Sequence, residues 1–269
     1  MMLVNGRPAS VLPLNDRGLQ YGDGLFETLR IRQGHPSHWQ RHLERLREGC
    51  RRLGFAAPDA AVLETEAGRI AAAHPDGVLK LMVTRGPGPR GYRPPASPSP
   101  TRILVGSPLP DSLSVWRRDG VRARICRMRL SSNPALAGIK HLNRLEQVLA
   151  RSEWEDEYQE GLMLDGEGRV VEGTMSNLFL VRDGMLLTPS LDQCGVAGIT
   201  RARIMDIAAG MGIVCGQTGL RLDDLFRAEG LFLCNTLIGI WPVRCLEGQT
   251  LPVPDLVRRL QQQLDTQDP

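Results

Sequence analysis

Lysine is nearly absent from this chain of 269 residues: Lys80 and Lys140 are the only two among 33 basic side chains. A guanidinium stays protonated and is a poor nucleophile, whereas an amine can shed its charge on burial and condense with a carbonyl. The shortage therefore nominates two positions for chemistry that arginine cannot perform, although compositional drift alone would leave the same count. Cys-x-x-Cys pairs are also missing. The six cysteines, at positions 50, 126, 194, 215, 234 and 245, are scattered, which argues for reduced thiols over a disulfide framework or zinc site and implies no metal. No apolar run approaches the roughly 20 residues a membrane helix needs. The opening Met1-Met2-Leu3-Val4-Asn5-Gly6-Arg7-Pro8 lacks the charged and apolar regions of a signal peptide. A cytoplasmic protein with no membrane association is expected. Excess charge is scarce too. The net value is +3, and the densest basic stretch, Arg41–Arg52, alternates with acids and apolar residues in helical order, as a solvated helix face does. Nucleic acid is not an expected partner.

The length and a hydrophobic content of 42% allow a sizeable core in one large or two modest domains. Short strands are expected at residues 3–5, 11–14 and 26–32. A helix capped by Ser37 is expected to run to Leu53 with Trp39, Leu43, Leu46 and Cys50 on its apolar stripe, Gly54 ending it. Residues 62–73 read as an alanine-rich helix and residues 78–84 as a strand buried on both faces. After the loop Arg93-Pro94-Pro95-Ala96-Ser97-Pro98-Ser99-Pro100, a strand resumes at 102–105. These features predict an N-terminal α+β domain over residues 1–112, a linker over 113–120 and a C-terminal α+β domain over 121–269. The second half reads as a strand at 121–127, a helix directly after Lys140, hairpins around Asp165-Gly166-Glu167-Gly168 and Asp183-Gly184, a helix at 200–211, a strand at 231–234 and a last helix at 255–264.

Gly86-Pro87-Gly88-Pro89-Arg90-Gly91 matches G-x-G-x-x-G. Its prolines, and the Tyr92-Arg93-Pro94-Pro95 that stands where a helix should follow, rule out a dinucleotide fingerprint and leave a surface or active-site loop. Gly195-Val196-Ala197-Gly198-Ile199-Thr200 leads into a helix, where unpaired amides and close backbone approach suit an anion, as they also suit an ordinary capped helix. Asn235-Thr236 at a strand end offers polar donors or a simple turn. Arg45, beside the stripe of its helix, is either a fork-shaped phosphate ligand or a solvated flank. Glu172 ends a strand beside small residues, with room to face a ligand nitrogen or to make a salt bridge. Lys140 stands in Ala137-Gly138-Ile139-Lys140-His141-Leu142-Asn143, between a proline-containing loop and an apolar periodic segment, where a nucleophile can be held. Lys80, in mid-strand, gains no chemical role from its neighbours.

In combination and in order, Asp16-Arg17-Gly18, Tyr21-Gly22-Asp23-Gly24-Leu25-Phe26-Glu27, His42-Leu43-Glu44-Arg45-Leu46, Arg85-Gly86, Lys140, Glu172–Phe179, Gly198-Ile199-Thr200-Arg201 and Asn235-Thr236 resemble the fold-type IV family of pyridoxal-phosphate enzymes across nearly the whole chain. The resemblance implies a two-domain α+β fold like that of D-amino-acid aminotransferase, a cofactor cleft between the domains, a homodimer and a small-molecule substrate. It implies pyridoxal 5'-phosphate as cofactor, with Lys140 as the Schiff-base lysine and Glu172 as partner of the pyridine nitrogen. Arg45, Ile199, Thr200, Asn235 and Thr236 are implied around the phosphate. Within the family, Lys140–Leu149 and Arg85–Tyr92 look most like the lyase branch that acts on 4-amino-4-deoxychorismate, releasing 4-aminobenzoate and pyruvate. In that branch Arg90 and Arg144 become candidate anchors for substrate carboxylates, with Tyr92 as an orienting hydroxyl. D-amino-acid and branched-chain aminotransferases on the same scaffold are the alternative, which Glu27 does not separate from the lyases. A non-catalytic anion-binding protein is the remote one.

Overall fold

The computed structural model describes residues 1–111 and 113–267 and divides them into two compact units. The first comprises Met1–Pro110 together with Ile139–Asn143; the second runs from Asp111 to Gly138 and from Arg144 onward. Both mix helix and sheet, as expected.

The first unit contains β1 (Met2–Val4), β2 (Arg7–Pro8), α1 (Arg17–Tyr21), β3 (Gly24–Arg32), β4 (His35–Pro36), α2 (Trp39–Leu53), α3 (Ala60–Ala73), β5 (Gly77–Thr84) and β6 (Thr101–Pro108). Its strands form one sheet in the order β2-β1-β6-β5-β3-β4, antiparallel throughout. Alternation along β3 buries Leu25, Glu27, Leu29 and Ile31 and leaves Phe26, Thr28, Arg30 and Arg32 half-covered. α2 lays Leu43, Leu46 and Cys50 against the buried face. Gly49 permits the approach, because a Cβ there would stand 2.7 Å from Leu25 Cδ1. Asp59 caps α3 by accepting from the amides of Ala61 (2.8 Å) and Val62 (3.2 Å).

The second unit contains α4 (Leu113–Asp119), β7 (Val121–Leu130), α5 (Leu145–Arg151), β8 (Glu160–Asp165), β9 (Val170–Gly173), β10 (Asn177–Arg182), β11 (Met185–Pro189), α6 (Ile199–Gly210), β12 (Cys215–Thr218), α7 (Leu222–Phe226), β13 (Gly230–Asn235), β14 (Gly239–Leu246), β15 (Gln249–Thr250) and α8 (Asp255–Thr266). Its sheet runs β12-β11-β10-β13-β14-β7-β8-β9, with β15 paired to β14. The central strands are apolar on both faces. Leu178, Leu180, Leu231 and Leu233 pack with Trp241 and Val243 on one side, while Phe179, Phe232 and Cys234 meet Ile204 and Ile207 of α6 and Val257 and Leu260 of α8 on the other. Phe179 and Phe232 stack with centroids 5.0 Å apart.

Several expectations are corrected. Residues 11–14 form no strand, and α2 begins after His38, which takes a left-handed φ of 55°, so Ser37 is not its cap. Residues 113–119, expected as linker, are the helix α4 of the second unit. Residues 139–143, expected in the second domain, belong to the first unit: the Phe26 amide donates to the Lys140 carbonyl (2.9 Å) and the Leu142 amide to Gly24 (2.9 Å), so a strand-like segment stands where helix was expected and α5 starts only at Leu145. Among the described residues no helix is long and apolar enough to cross a membrane.

Candidate active site

Lys140 owes its position to backbone pairing on both sides of it in sequence. In the first unit, residues 140–142 line the outer edge of β3, with Leu25 and His141 bridged. Asn143 Nδ2 donates to the Gly22 carbonyl at 3.1 Å. Gly24 has to be glycine, since a Cβ would fall 2.6 Å from the Val83 carbonyl and 2.9 Å from Leu142 Cδ1. In the second unit, Gly138 donates to Gly195 (2.8 Å) and accepts from Ala197 (3.0 Å). The half-buried Lys140 side chain places Nζ 4.4 Å from the centroid of Phe26.

Arg45, on α2, is paired inside the first unit. Its Nε and Nη2 donate to Glu27 Oε1 (2.8 Å) and Oε2 (2.5 Å), and His42 Nδ1 lies 2.6 Å from the same Oε2. Burial opposes ionisation of Glu27, but the Arg45 charge and the hydrogen bonds from Arg45 and His42 outweigh it and bring its pKa down to about 2. Burial in turn holds His42 below the usual imidazole range, against the opposing pull of Glu27. A neutral ring beside an ionised carboxylate must carry its proton on Nδ1, and Nε2 is left buried without a hydrogen-bond partner. The fork is thus fixed in orientation by a carboxylate from β3.

In the second unit, Glu172 on β9 is buried and accepts from the Val196 amide at 2.8 Å. Gly195, at φ +86°, passes so close that a Cβ would lie 2.7 Å from Leu191 Cδ2 and 3.3 Å from Glu172 Oε2. Gly198 is closer still: a Cβ there would be 2.0 Å from Oδ1 of Asn177, whose Nδ2 holds the Val196 carbonyl. This folded loop delivers the chain to α6, whose N-cap, Gly198, supplies no side-chain acceptor to the first turn. The Ile199 and Thr200 amides therefore open a twelve-residue helix at its positive end, a donor set suited to a phosphate. Arg144, at the start of α5, feels Glu172; burial pushes its guanidinium pKa down, opposed by Glu172 and Glu146.

Asn235 is not a free donor. Its Nδ2 donates to the Met175 carbonyl (3.0 Å) and its Oδ1 accepts from the Leu237 (2.9 Å) and Ile238 (3.0 Å) amides, so it shapes the turn that carries Thr236. Glu160, which sequence reasoning missed, organises the neighbouring turn: its buried carboxylate accepts from the amides of Thr174 and Met175 and the hydroxyls of Thr174 and Ser176. The available signal was an acid opening the otherwise apolar Gly161-Leu162-Met163-Leu164 strand.

The residues from 86 to 91 form a loop, and no helix follows them. Arg90 and Tyr92 are exposed on it, Tyr92 at 85%. The backbone beneath them is anchored by two residues that sequence reasoning left without a role. Buried Arg17 donates to Asp23 (2.8 Å) and to the carbonyls of Gly91 (2.9 Å) and Tyr92 (3.0 Å), while the Tyr21 hydroxyl accepts from the Gly91 amide (3.0 Å). Burial of Asp23 opposes its ionisation, but Arg85 and Arg17 overcome this and lower its pKa.

The second unit offers a buried acid beside a glycine loop and an open helix N-terminus, residue types that suit a phosphorylated ligand, and the first offers a lysine on an aromatic ring, which suits a carbonyl. The chain belongs to the class IV amino-transferase family, whose model matches residues 24–246. Pyridoxal 5'-phosphate is the family's cofactor. The chain is 35% identical to the aminodeoxychorismate lyase of Vibrio harveyi over 99% of its own length and 100% of that protein's. It is similar to the crystal structure of 4-amino-4-deoxychorismate lyase from Pseudomonas aeruginosa, with 53% identity, a TM-score of 0.94 and coverage of 99% and 98% of the two chains. A hypothetical aminotransferase from Mycobacterium tuberculosis in its PLP-bound form gives 25% identity, a TM-score of 0.86 and the same coverage.

Proposed function

We propose that this chain is a pyridoxal-phosphate-dependent lyase that converts 4-amino-4-deoxychorismate to 4-aminobenzoate and pyruvate, a step of folate biosynthesis. The observation that carries the reading is the 53% identity to a solved 4-amino-4-deoxychorismate lyase over 99% of this chain. Pyridoxal 5'-phosphate, when bound, supplies the electron-withdrawing ring that acidifies the substrate C–H beside the amine. Lys140 would hold it covalently, and its Nζ, when free, would be the base that takes that proton. Cleavage of the neighbouring C–O bond then releases enolpyruvate, which gains a proton to become pyruvate, and aromatisation drives the step forward. Lys140 Nζ is the group that can return the proton as acid.

Arg45, the Ile199 and Thr200 amides and Thr236 hold the phosphate in this reading, and Glu172 keeps the pyridine nitrogen protonated. Asn235 acts by shaping the Thr236 turn. Arg90, Tyr92 and Arg144 are assigned to the substrate. A homodimer is part of the proposal, supported by the outward apolar stripe of α5, where Leu145 is 76%, Val148 60% and Leu149 54% exposed. A cytoplasmic location is supported by the six free cysteines.

Incubation of the purified holo-protein with 4-amino-4-deoxychorismate and no amino acceptor tests the reading. Stoichiometric 4-aminobenzoate and pyruvate are expected, and Lys140→Ala should lose both the visible absorbance of the bound cofactor and the reaction. Amino transfer from D-alanine to a 2-oxo acid without pyruvate release from the chorismate would replace the lyase with an aminotransferase. A protein that stays colourless with added pyridoxal phosphate would exclude both.

A further inference from the structure

The second lysine also has a place. Lys80 lies in the middle of β5, an interior strand of the first unit's sheet, directly opposite Thr28 on β3 and Val105 on β6. Its Nζ is 5.4 Å from the centroid of Phe26, the ring that also carries Lys140 Nζ at 4.4 Å. The two nitrogens are therefore separated by less than about 10 Å. The Lys80 side chain is exposed, and among the described residues it has no ion-pair partner.

The face it occupies is unusual for a lysine. Alternate positions put Phe26, Thr28, Arg30 and Arg32 of β3 on the same side as Lys80, next to Met82 of β5 and Ile103 and Val105 of β6. The one acid in these strands, Glu27, points to the opposite face and is spent on Arg45 and His42. An ammonium at Lys80, on a half-covered face whose strands turn no carboxylate to this side, favours an anion beside it.

We propose that Lys80 binds a carboxylate of the substrate while the substrate amine reacts at Lys140. This rests on the lyase reading, whose substrate has two carboxylates. One lies directly across the six-membered ring from the amine, at roughly 6 Å by ordinary bond lengths; the other ends the enolpyruvyl ether on the adjoining carbon. Both are on the length scale set by two nitrogens less than about 10 Å apart. A compact ammonium over Phe26 can meet a carboxylate in that space, whereas a longer planar fork would have to leave the ring or crowd Thr28. Lys80 would then help set specificity toward substrates with an acid remote from the amine, which simple amino acids lack.

The test uses the holoenzyme and Lys80→Met, which keeps an unbranched side chain as far as Cε and removes the charged nitrogen. Cofactor absorbance should be unchanged, the KM for 4-amino-4-deoxychorismate should rise about tenfold or more, and kcat should change less. Equilibrium titration of each holo-protein with the two products identifies the carboxylate. Weaker 4-aminobenzoate binding with unchanged pyruvate binding assigns the ring carboxylate; the reverse assigns that of the side chain. Lys80→Arg should recover part of the lost affinity. Unchanged KM and unchanged binding of both products in Lys80→Met would overturn the proposal. A wild-type holo-protein that releases no product would instead remove the lyase reading, and the 4-aminobenzoate titration would still decide whether Lys80 takes a carboxylate.

Discussion

Replacing Glu27 by Gln should destabilise the first unit by about 3 kcal/mol at neutral pH. The carboxylate is 1% exposed and receives both nitrogens of the Arg45 fork together with His42 Nδ1. An amide keeps the volume but takes the Glu27 charge away from Arg45, whose side chain is only 12% exposed. Two routes give the magnitude. Removing one partner of a buried pair typically costs about 3–5 kcal/mol. Lowering the Glu27 pKa from 4.5 to about 2 is linked to about 3 kcal/mol. The sign follows from the depressed folded-state value: this stabilisation is complete above the unfolded pKa of 4.5 and drains away as pH falls toward about 2. Urea unfolding of wild type and Glu27→Gln, followed from pH 7 down to the lowest pH at which both fold, should show curves that converge below pH 4.5. The melting temperature of the variant at pH 7 should fall by roughly 6–12 °C. A variant within 1 kcal/mol of wild type, or a gap that stays constant with pH, would refute the account of Glu27 as the carboxylate that fixes Arg45.

Three further outcomes follow from the geometry. Gly198→Ala puts a methyl 2.0 Å from Asn177 Oδ1, so the loop before α6 must move; cofactor affinity, titrated by visible absorbance, should fall about tenfold or more. Arg17→Met removes the donors to the Gly91 and Tyr92 carbonyls, and limited trypsin digestion should then cut after Arg90 several-fold faster, with fragment masses locating the cut. Leu149→Lys places a charge on the exposed stripe of α5, and sedimentation should show the proposed dimer shifted toward monomer at micromolar protein, with little change in the stability of the subunit.

Legibility in the sequence followed the physical signal. The amphipathic α2, the alanine-rich α3 and the doubly buried β10 and β13 were readable because their apolar periodicity is what buries them. β14 was not, since Trp241-Pro242-Val243-Arg244 breaks the pattern with a proline and a charge, although this strand joins β13 to β7. Ser37 offered a cap, but the chain entered α2 through a left-handed His38 that no local rule singles out. The helix expected after Lys140 failed for a tertiary reason: residues 140–142 hydrogen-bond to β3, far away in sequence, and that pairing overrides local helical spacing. The site showed the same split. Gly195, Gly198 and Glu172 were legible as residue types with a steric or charge requirement. The commitment of Arg45 to Glu27, the engagement of both ends of Asn235, and the anchoring of the Arg90 loop by Arg17 and Tyr21 depend on contacts between distant segments.

Because Ile139–Asn143 complete a sheet edge begun at Gly24, the order of synthesis leaves that edge bare for a time. At ordinary translation rates, the residues between Pro110 and Asn143 take roughly 2–7 seconds to emerge. During that interval the amide of Phe26 and the carbonyl of Gly24 have no strand to pair with, so the nascent chain carries an unguarded template for intermolecular pairing. A fragment ending at Pro110 would carry the same defect permanently. Lys140 thus arrives on the ribosome as part of the segment that closes the edge, and the N-terminal unit becomes complete only with the residue on which the proposed chemistry depends.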